Sequence, residues 1–279
     1  MANLASRRES PPRGQSMGEV AGEKKGMDWG PVGEFFKGVD ERAVAAELIG
    51  TFLFQFLGAS AASNSVDAGL TTAALGNGAG LAVVVYSTAR VSGGHINPAV
   101  SVALLLIGEG QMTGAKCLAY VVAQMTGALA AAASLRWLTP DTAVNRNPFV
   151  AQGILSDGVS RNLAGLSIFE FLMTFTLMFV ICAVALDVKG SARQYAPLVI
   201  GFTYTACIYC AGPYTGGSMN PARTVSAAVV FNDFTGMWVS LVAIFSGAAL
   251  GAFAYKATFN VDRAESDQGS GSRVVSQYV

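Results

Sequence analysis

Two asparagines head matching tripeptides, Asn97-Pro98-Ala99 and Asn220-Pro221-Ala222. Each follows a Gly-Gly pair, in Ser-Gly-Gly-His-Ile (92–96) and Thr-Gly-Gly-Ser-Met (215–219), and Arg223 stands three residues after the second asparagine. Asparagine caps a helix through its side-chain oxygen, and proline suits the first helical position because it has no N–H to lose. A helix starting at either tripeptide turns the positive end of its dipole toward whatever lies in front of it. The amide nitrogen still offers N–H donors. These are groups that shape backbone and form hydrogen bonds, not groups that make bonds. The rest of the chain agrees. It has one histidine, His95, no cluster of metal ligands and no nucleophile with a base at a recognisable spacing, so an enzyme is not expected, nor any cofactor. Cys117, Cys182, Cys207 and Cys210 all lie in apolar segments and read as packing groups.

The elements that must position these residues are apolar. Of 279 residues, 52% are hydrophobic and 13% charged, about half the charge of a soluble domain. The net charge is zero, and nothing suggests a nucleic-acid partner. Six long apolar segments, roughly 44–63, 71–89, 115–137, 167–186, 196–211 and 237–255, read as helices spanning a lipid bilayer. The polar ends, residues 1–41 and 259–279, read as disordered tails around a membrane domain at 42–258. An even number of spans puts both tails on one side. Most Lys and Arg residues fall there, leaving Arg136, Arg146, Arg161 and Arg223 of the 18 opposite, so both termini are expected in the cytoplasm. Plasma and vacuolar-type membranes are not distinguished.

The chain also repeats, in halves of about 42–138 and 165–258. Glu47 precedes Asn97 by the same interval at which Glu170 precedes Asn220, and the whole register is expected to recur at an offset of 123. Three spans per half is an odd number, so the second half enters the membrane from the opposite side. An inverted repeat of this kind sets its working site at the midplane between the halves. After each Asn-Pro an apolar run of ten residues, 98–107 and 221–230, stops at polar residues. Ten residues rise about 15 Å, half a bilayer. The expected fold is therefore all-α: six transmembrane helices plus two re-entrant half-helices whose N-termini meet. Irregular backbone at that depth is tolerated only against protein or a water-filled cavity, so the Gly-Gly segments imply a pore.

The paired Asn-Pro-Ala boxes, the openings Glu47-Leu-Ile-Gly-Thr51-Phe52 and Glu170-Phe-Leu-Met-Thr174-Phe175, and Tyr120-x-x-Ala-Gln124-x-x-Gly127 occur in the order and spacing of a known family. Over about residues 42–258 the chain resembles the aquaporin, or major intrinsic protein, family. The wording around its boxes is similar to plant tonoplast-type members. The resemblance implies passive permeation of water through each subunit of a homotetramer. It implies that Asn97 and Asn220 donate to the permeant at the pore centre. The carbonyls of Gly93, Gly94, His95 and Ile96, and of Gly216, Gly217, Ser218 and Met219, would form a file of acceptors. Glu47 and Glu170 would brace the two re-entrant loops.

By the same resemblance four residues form the selectivity filter. Counting without gaps gives Asn77, Ile208, Gly217 and Arg223. Water-selective members carry Phe and His at the first two positions, so a wider and less polar filter is expected here, passing small neutral solutes such as ammonia beside water. Glycerol channels carry Asp after the arginine, where this chain has Thr224. A glycerol- or urea-type facilitator is the nearest alternative. A coupled secondary transporter is the other, and only the two glutamates could serve it as coupling groups.

Overall fold

The computed structural model describes residues 31–109, 111–139, 163–187, 190 and 193–259. The chain divides into two units, Met1–Phe35 and Phe36–Val279. In the first, Pro31–Phe35 form a short helix, α1, inside the stretch expected to be a disordered tail. Proline at its first position and Glu34 in its only full turn both favour a helix start. Of the expected tails, residues 36–41 and 259 are described as well, Glu41 opening a long helix and Phe259 ending one; residues 1–30 and 260–279 lie outside the described residues.

The second unit runs α2 (Glu41–Ala68), α3 (Leu70–Ser92), α4 (Pro98–Ile107), α5 (Gly114–Leu138), α6 (Leu163–Ile181, continued by a π-helical stretch over Cys182–Leu186), a 3-10 turn at Arg193–Tyr195, α7 (Ala196–Thr215), α8 (Pro221–Phe231) and α9 (Met237–Phe259). No strand occurs among the described residues. Six of these helices, all but α1, α4 and α8, are long and apolar enough to cross a membrane. Val83, Tyr86, Val122, Phe202 and Val242 are exposed on their outer faces. Such a surface belongs in lipid, where helices satisfy their backbone internally.

Local chemistry moves the helix ends beyond the apolar runs. α2 starts three residues before Val44 because Asp40 caps it, its Oδ1 accepting from the Arg42 N–H at 2.9 Å. α7 passes Ala211 and absorbs Pro213 in its last turn, then ends at Gly216, left-handed at φ 78°. The half-helix α4 has the expected ends, and α8 is one residue longer. Lys256 Nζ donates to the Ile107 carbonyl at 2.6 Å and pairs with Glu109 at 3.1 Å, so a cation sits at the negative end of α4.

The halves pack α2 against α3 and α5, and α6 against α7 and α9, with α3 and α7 joining them. Gly78 and Gly201 meet at that joint, 123 residues apart. A Cβ on either would lie 2.5 Å from the other's carbonyl oxygen. The offset does not hold throughout. Gly127 of α5 lies on the Leu48 carbonyl, and Gly247 of α9 lies on the Phe171 carbonyl. Leu48 and Phe171 keep the 123 interval, whereas the two glycines are 120 apart. The expectation of one register is thus corrected for the third span of each half: the connection from half-helix to span is one residue shorter in the second half, 232–236 against 108–113, and the glycine contact falls three residues earlier along α9 than the 123 interval would put it.

Gly201→Leu should lower the detergent melting temperature by roughly 5 °C. Overpacking costs about 1–3 kcal/mol, and each kcal/mol is worth about 2–4 °C at this chain length. An unchanged melting curve would show that α3 and α7 do not meet there.

Candidate functional site

The two re-entrant loops have the same backbone. Gly93, Gly94 and Ile96 have φ of 93°, 63° and 54°, and Gly216, Gly217 and Met219 have 78°, 64° and 51°. Glycine takes this region freely, but a β-branched residue such as Ile96 does so only under constraint. Each loop is constrained by its glutamate. Glu47 Oε1 accepts from Ser92 Oγ (2.6 Å) and the His95 N–H (2.9 Å), and Oε2 from the Ile96 N–H and Gln124 Nε2, both at 2.7 Å. Glu170 Oε1 accepts from Thr215 Oγ1 (2.7 Å) and the Ser218 N–H (3.0 Å), and Oε2 from the Met219 N–H (2.9 Å). Ser92 and Thr215 in turn accept from the Gly94 and Gly217 N–H groups. Both carboxylates are fully buried. These contacts offset the strain at Ile96 and Met219.

Sequence reasoning missed Ser92 and Thr215, although their signal was present: two hydroxyl residues at the 123 offset. Gln124 has no counterpart on Glu170, and it also donates to Ser101 Oγ (3.0 Å). Ser101 lies 3.0 Å from His95 Nδ1, and His95 stacks edge-on against Tyr120. His95 is therefore tied into the first loop.

Asn97 and Asn220 face each other across the halves. Each Oδ1 caps its own half-helix, accepting from the Ala99 and Ala222 N–H groups at 2.9 Å. Asn97 Nδ2 donates to the Met219 carbonyl (2.8 Å), and Asn220 Nδ2 to the Ile96 carbonyl (2.9 Å). Since a carboxamide nitrogen has two hydrogens, one on each remains. The Ile96 and Met219 carbonyls thus each serve the opposite asparagine. The Ser218 carbonyl accepts from Tyr204 Oη at 2.5 Å.

A cavity of about 60 Å³ runs from Arg193, in the 3-10 turn before α7, to Asn220, Phe54 and Tyr204. Gly93, Gly94, His95, Ile96 and Asn97 lie along it, with Leu81, Val85, Leu177 and Ile200 among its apolar walls. That volume holds several waters in file. Gly216, Gly217, Ser218 and Met219 are not part of its lining.

Of the four expected filter residues, Asn77 meets Arg223 and Ile208 meets Gly217. Ile208 lies in contact range of Gly217, where an added Cβ would be 3.1 Å from its side chain. Arg223 Nη1 donates to Asn77 Oδ1 at 2.5 Å, and Asn77 Nδ2 donates to the Gly58 and Ala73 carbonyls at 3.0 and 2.8 Å. Asn77 is thus pinned to its wall and bridged to the arginine. The guanidinium also covers two rings, its Cζ 5.1 Å from the centroid of Phe54 and 5.4 Å from that of Tyr204. Neither aromatic was singled out from the sequence. Tyr204 stands four residues before Ile208, one turn along the same face of α7, and that spacing could have found it.

The comparisons with known proteins follow this geometry. The major intrinsic protein family matches residues 36–255. Aquaporin TIP2-2 of Zea mays is 38% identical over 243 residues, covering 84% of this chain and 93% of its own length. Aquaporin TIP2-1 of Arabidopsis thaliana is 37% identical over 245 residues, covering 84% and 94%. The aquaglyceroporin of Plasmodium falciparum has a similar fold, with a TM-score of 0.64 and 24% identity over 78% of this chain and 96% of that one. Two half-helices meeting at paired asparagines, each loop tied to a buried glutamate, stand in a chain matched over most of its length, and the chain belongs to the major intrinsic protein family, the aquaporins, which are multi-pass membrane channels rather than enzymes.

Proposed function

We propose that the chain is a passive water channel that also passes small neutral solutes such as ammonia and excludes ions and protons. One observation carries this reading: the positive ends of α4 and α8 converge at Asn97 and Asn220 on a narrow, mostly apolar cavity. Apolar walls bind water weakly, the asparagine N–H groups orient it, and the two dipoles oppose cations. Arg223 adds a fixed charge beyond them. The relatives' names support water as the permeant. Thr224 and Ser218 hydroxyls lie 2.6 Å apart, so position 224 serves the loop, which favours this reading over a glycerol-type channel. We place both termini in the cytoplasm, on the distribution of Lys and Arg, and four copies in the assembly, each with its own pore. Gly93, Gly94, His95 and Ile96 take the acceptor role along one half of the path, and Gly216, Gly217, Ser218 and Met219 along the other.

Stopped-flow shrinkage of reconstituted vesicles tests the proposal. Water flux should exceed that of protein-free vesicles, rise linearly with the osmotic gradient and depend weakly on temperature. Ammonia should enter faster than in protein-free vesicles. Saturation, or dependence on a proton gradient, would point instead to a coupled transporter.

A further inference from the structure

We infer that Phe54 and Tyr204, with the Arg223 guanidinium laid across them, set the size limit of this pore. Tyr204 lies one helical turn deeper along α7 than Ile208, and Phe54 reaches it from α2. The inference rests on reading the chain as a channel and names the residues that would decide what passes. The upper layer lacks bulk. Gly217 has no side chain, and Asn77 is fastened to two carbonyls of its own wall, so neither can close the path. The bulk lies below. The rings of Phe54 and Tyr204 meet edge to face, 5.4 Å apart at 88°. Arg223 contacts both, and all three are 1% exposed. The cavity that passes Asn97 and Asn220 reaches these two rings and does not include Asn77, Ile208, Gly217 or Arg223 in its lining. The narrowing between the cavity and the upper layer therefore falls at the ring pair.

The pair is also held. Tyr204 cannot swing aside, because its hydroxyl donates to the Ser218 carbonyl. Phe54 is wedged against Tyr204. Arg223 is drawn toward Asn77 at one side and lies on both rings at the other. At this level the guanidinium is hydrogen-bonded to the phenol and carries further N–H donors. Water is small and can accept from those donors. Urea and glycerol do not have the room, although the layer above is built from small groups.

The experiment compares urea and glycerol with water permeability in vesicles holding native protein, Tyr204→Leu, Phe54→Leu, Tyr204→Phe or Asn77→Ala. Tyr204→Leu and Phe54→Leu should each raise the glycerol-to-water ratio by about tenfold, the scale on which small steric differences discriminate solutes. Tyr204→Phe should raise the ratio far less than Tyr204→Leu, since the ring remains against Phe54 even without the hydroxyl's hold. Asn77→Ala, which frees Arg223 on one side only, should raise it less than either leucine variant. Water flux in each variant reports a folded pore, and Phe54→Leu decides if Tyr204→Leu does not conduct. A native ratio in both leucine variants, together with a raised ratio in Asn77→Ala, would overturn the inference and place the limit in the upper layer. A Tyr204→Phe ratio as high as that of Tyr204→Leu would also overturn it, by assigning the effect to the hydroxyl. Native vesicles no faster than protein-free ones would instead refute the channel reading itself.

Discussion

Glu47→Ala is expected to lower the melting temperature in detergent by about 10 °C and to reduce water flux to near that of protein-free vesicles. Four donors end on this carboxylate: Ser92 Oγ, the His95 and Ile96 N–H groups, and Gln124 Nε2. All four residues are less than a tenth exposed. A buried donor left unpaired costs about 1–3 kcal/mol, and breaking a buried charged network costs about 3–5 kcal/mol. Water entering the space left by the side chain recovers part of this, so a net loss of about 4 kcal/mol is reasonable. At about 2–4 °C per kcal/mol, that gives the stated shift. The loop suffers in particular because Ile96 loses one of the two contacts that hold it at positive φ. With the loop released, one wall of the cavity goes. Glu47→Gln keeps one acceptor oxygen and turns an NH2 group toward a donor, so its loss should be intermediate. Glu170→Ala removes three acceptor contacts rather than four and should cost somewhat less. A melting point within 2 °C of native, with full water flux, would show that the loop holds its shape without the carboxylate.

Much of this arrangement is legible in the sequence because the membrane simplifies it. An apolar run in lipid has few options besides a helix, and an Asn-Pro break at mid-depth must be covered by protein or water. The half-helix α4 therefore has the ends that its residues predict. The doubled interval from glutamate to asparagine reflects a real requirement, that each loop be held at one distance along its neighbouring span. Other features depend on contacts that no local pattern encodes. The third spans need only set a glycine on a carbonyl, at Gly127 and Gly247, and a shorter connection satisfies that as well as a longer one. The π-helical stretch at Cys182–Leu186 has no marker in its residues, and the structure offers no account of it beyond its place at the cavity, where Ala185 and Leu186 form part of the lining. Counting from the boxes brought together Asn77 and Arg223 but could not show where the arginine side chain lies. Its direction depends on two aromatic rings from different halves, Phe54 and Tyr204, which no motif or interval marks.

Arg223→Val is expected to open a proton and cation leak about 50-fold above native while water flux stays at or above its native level. The arginine is 1% exposed and sits in the membrane, where a charge is costly and is retained for a purpose. A cation passing about 7 Å from the guanidinium, at an effective dielectric of about 20, is repelled by about 2.4 kcal/mol. Removing that repulsion multiplies the rate by about 50, at 1.36 kcal/mol per tenfold. The leak stays far from free conduction, because stripping water from an ion and the positive ends of α4 and α8 still oppose it. Water meets no comparable barrier. Valine takes a large side chain off the Phe54 and Tyr204 rings and leaves Asn77 Oδ1 beside the path, where a passing water can donate to it. Arg223→Lys separates charge from shape. It keeps the positive charge but cannot both bridge to Asn77 and lie flat on two rings, so cation exclusion should survive while solute discrimination changes. The readouts are a pH-sensitive dye inside vesicles under an imposed proton gradient and stopped-flow light scattering for water, on the same preparations. Proton permeability unchanged in Arg223→Val, with water flux intact, would place charge exclusion at the paired half-helix ends, where Asn97 and Asn220 each cap one helix and reach across to the other.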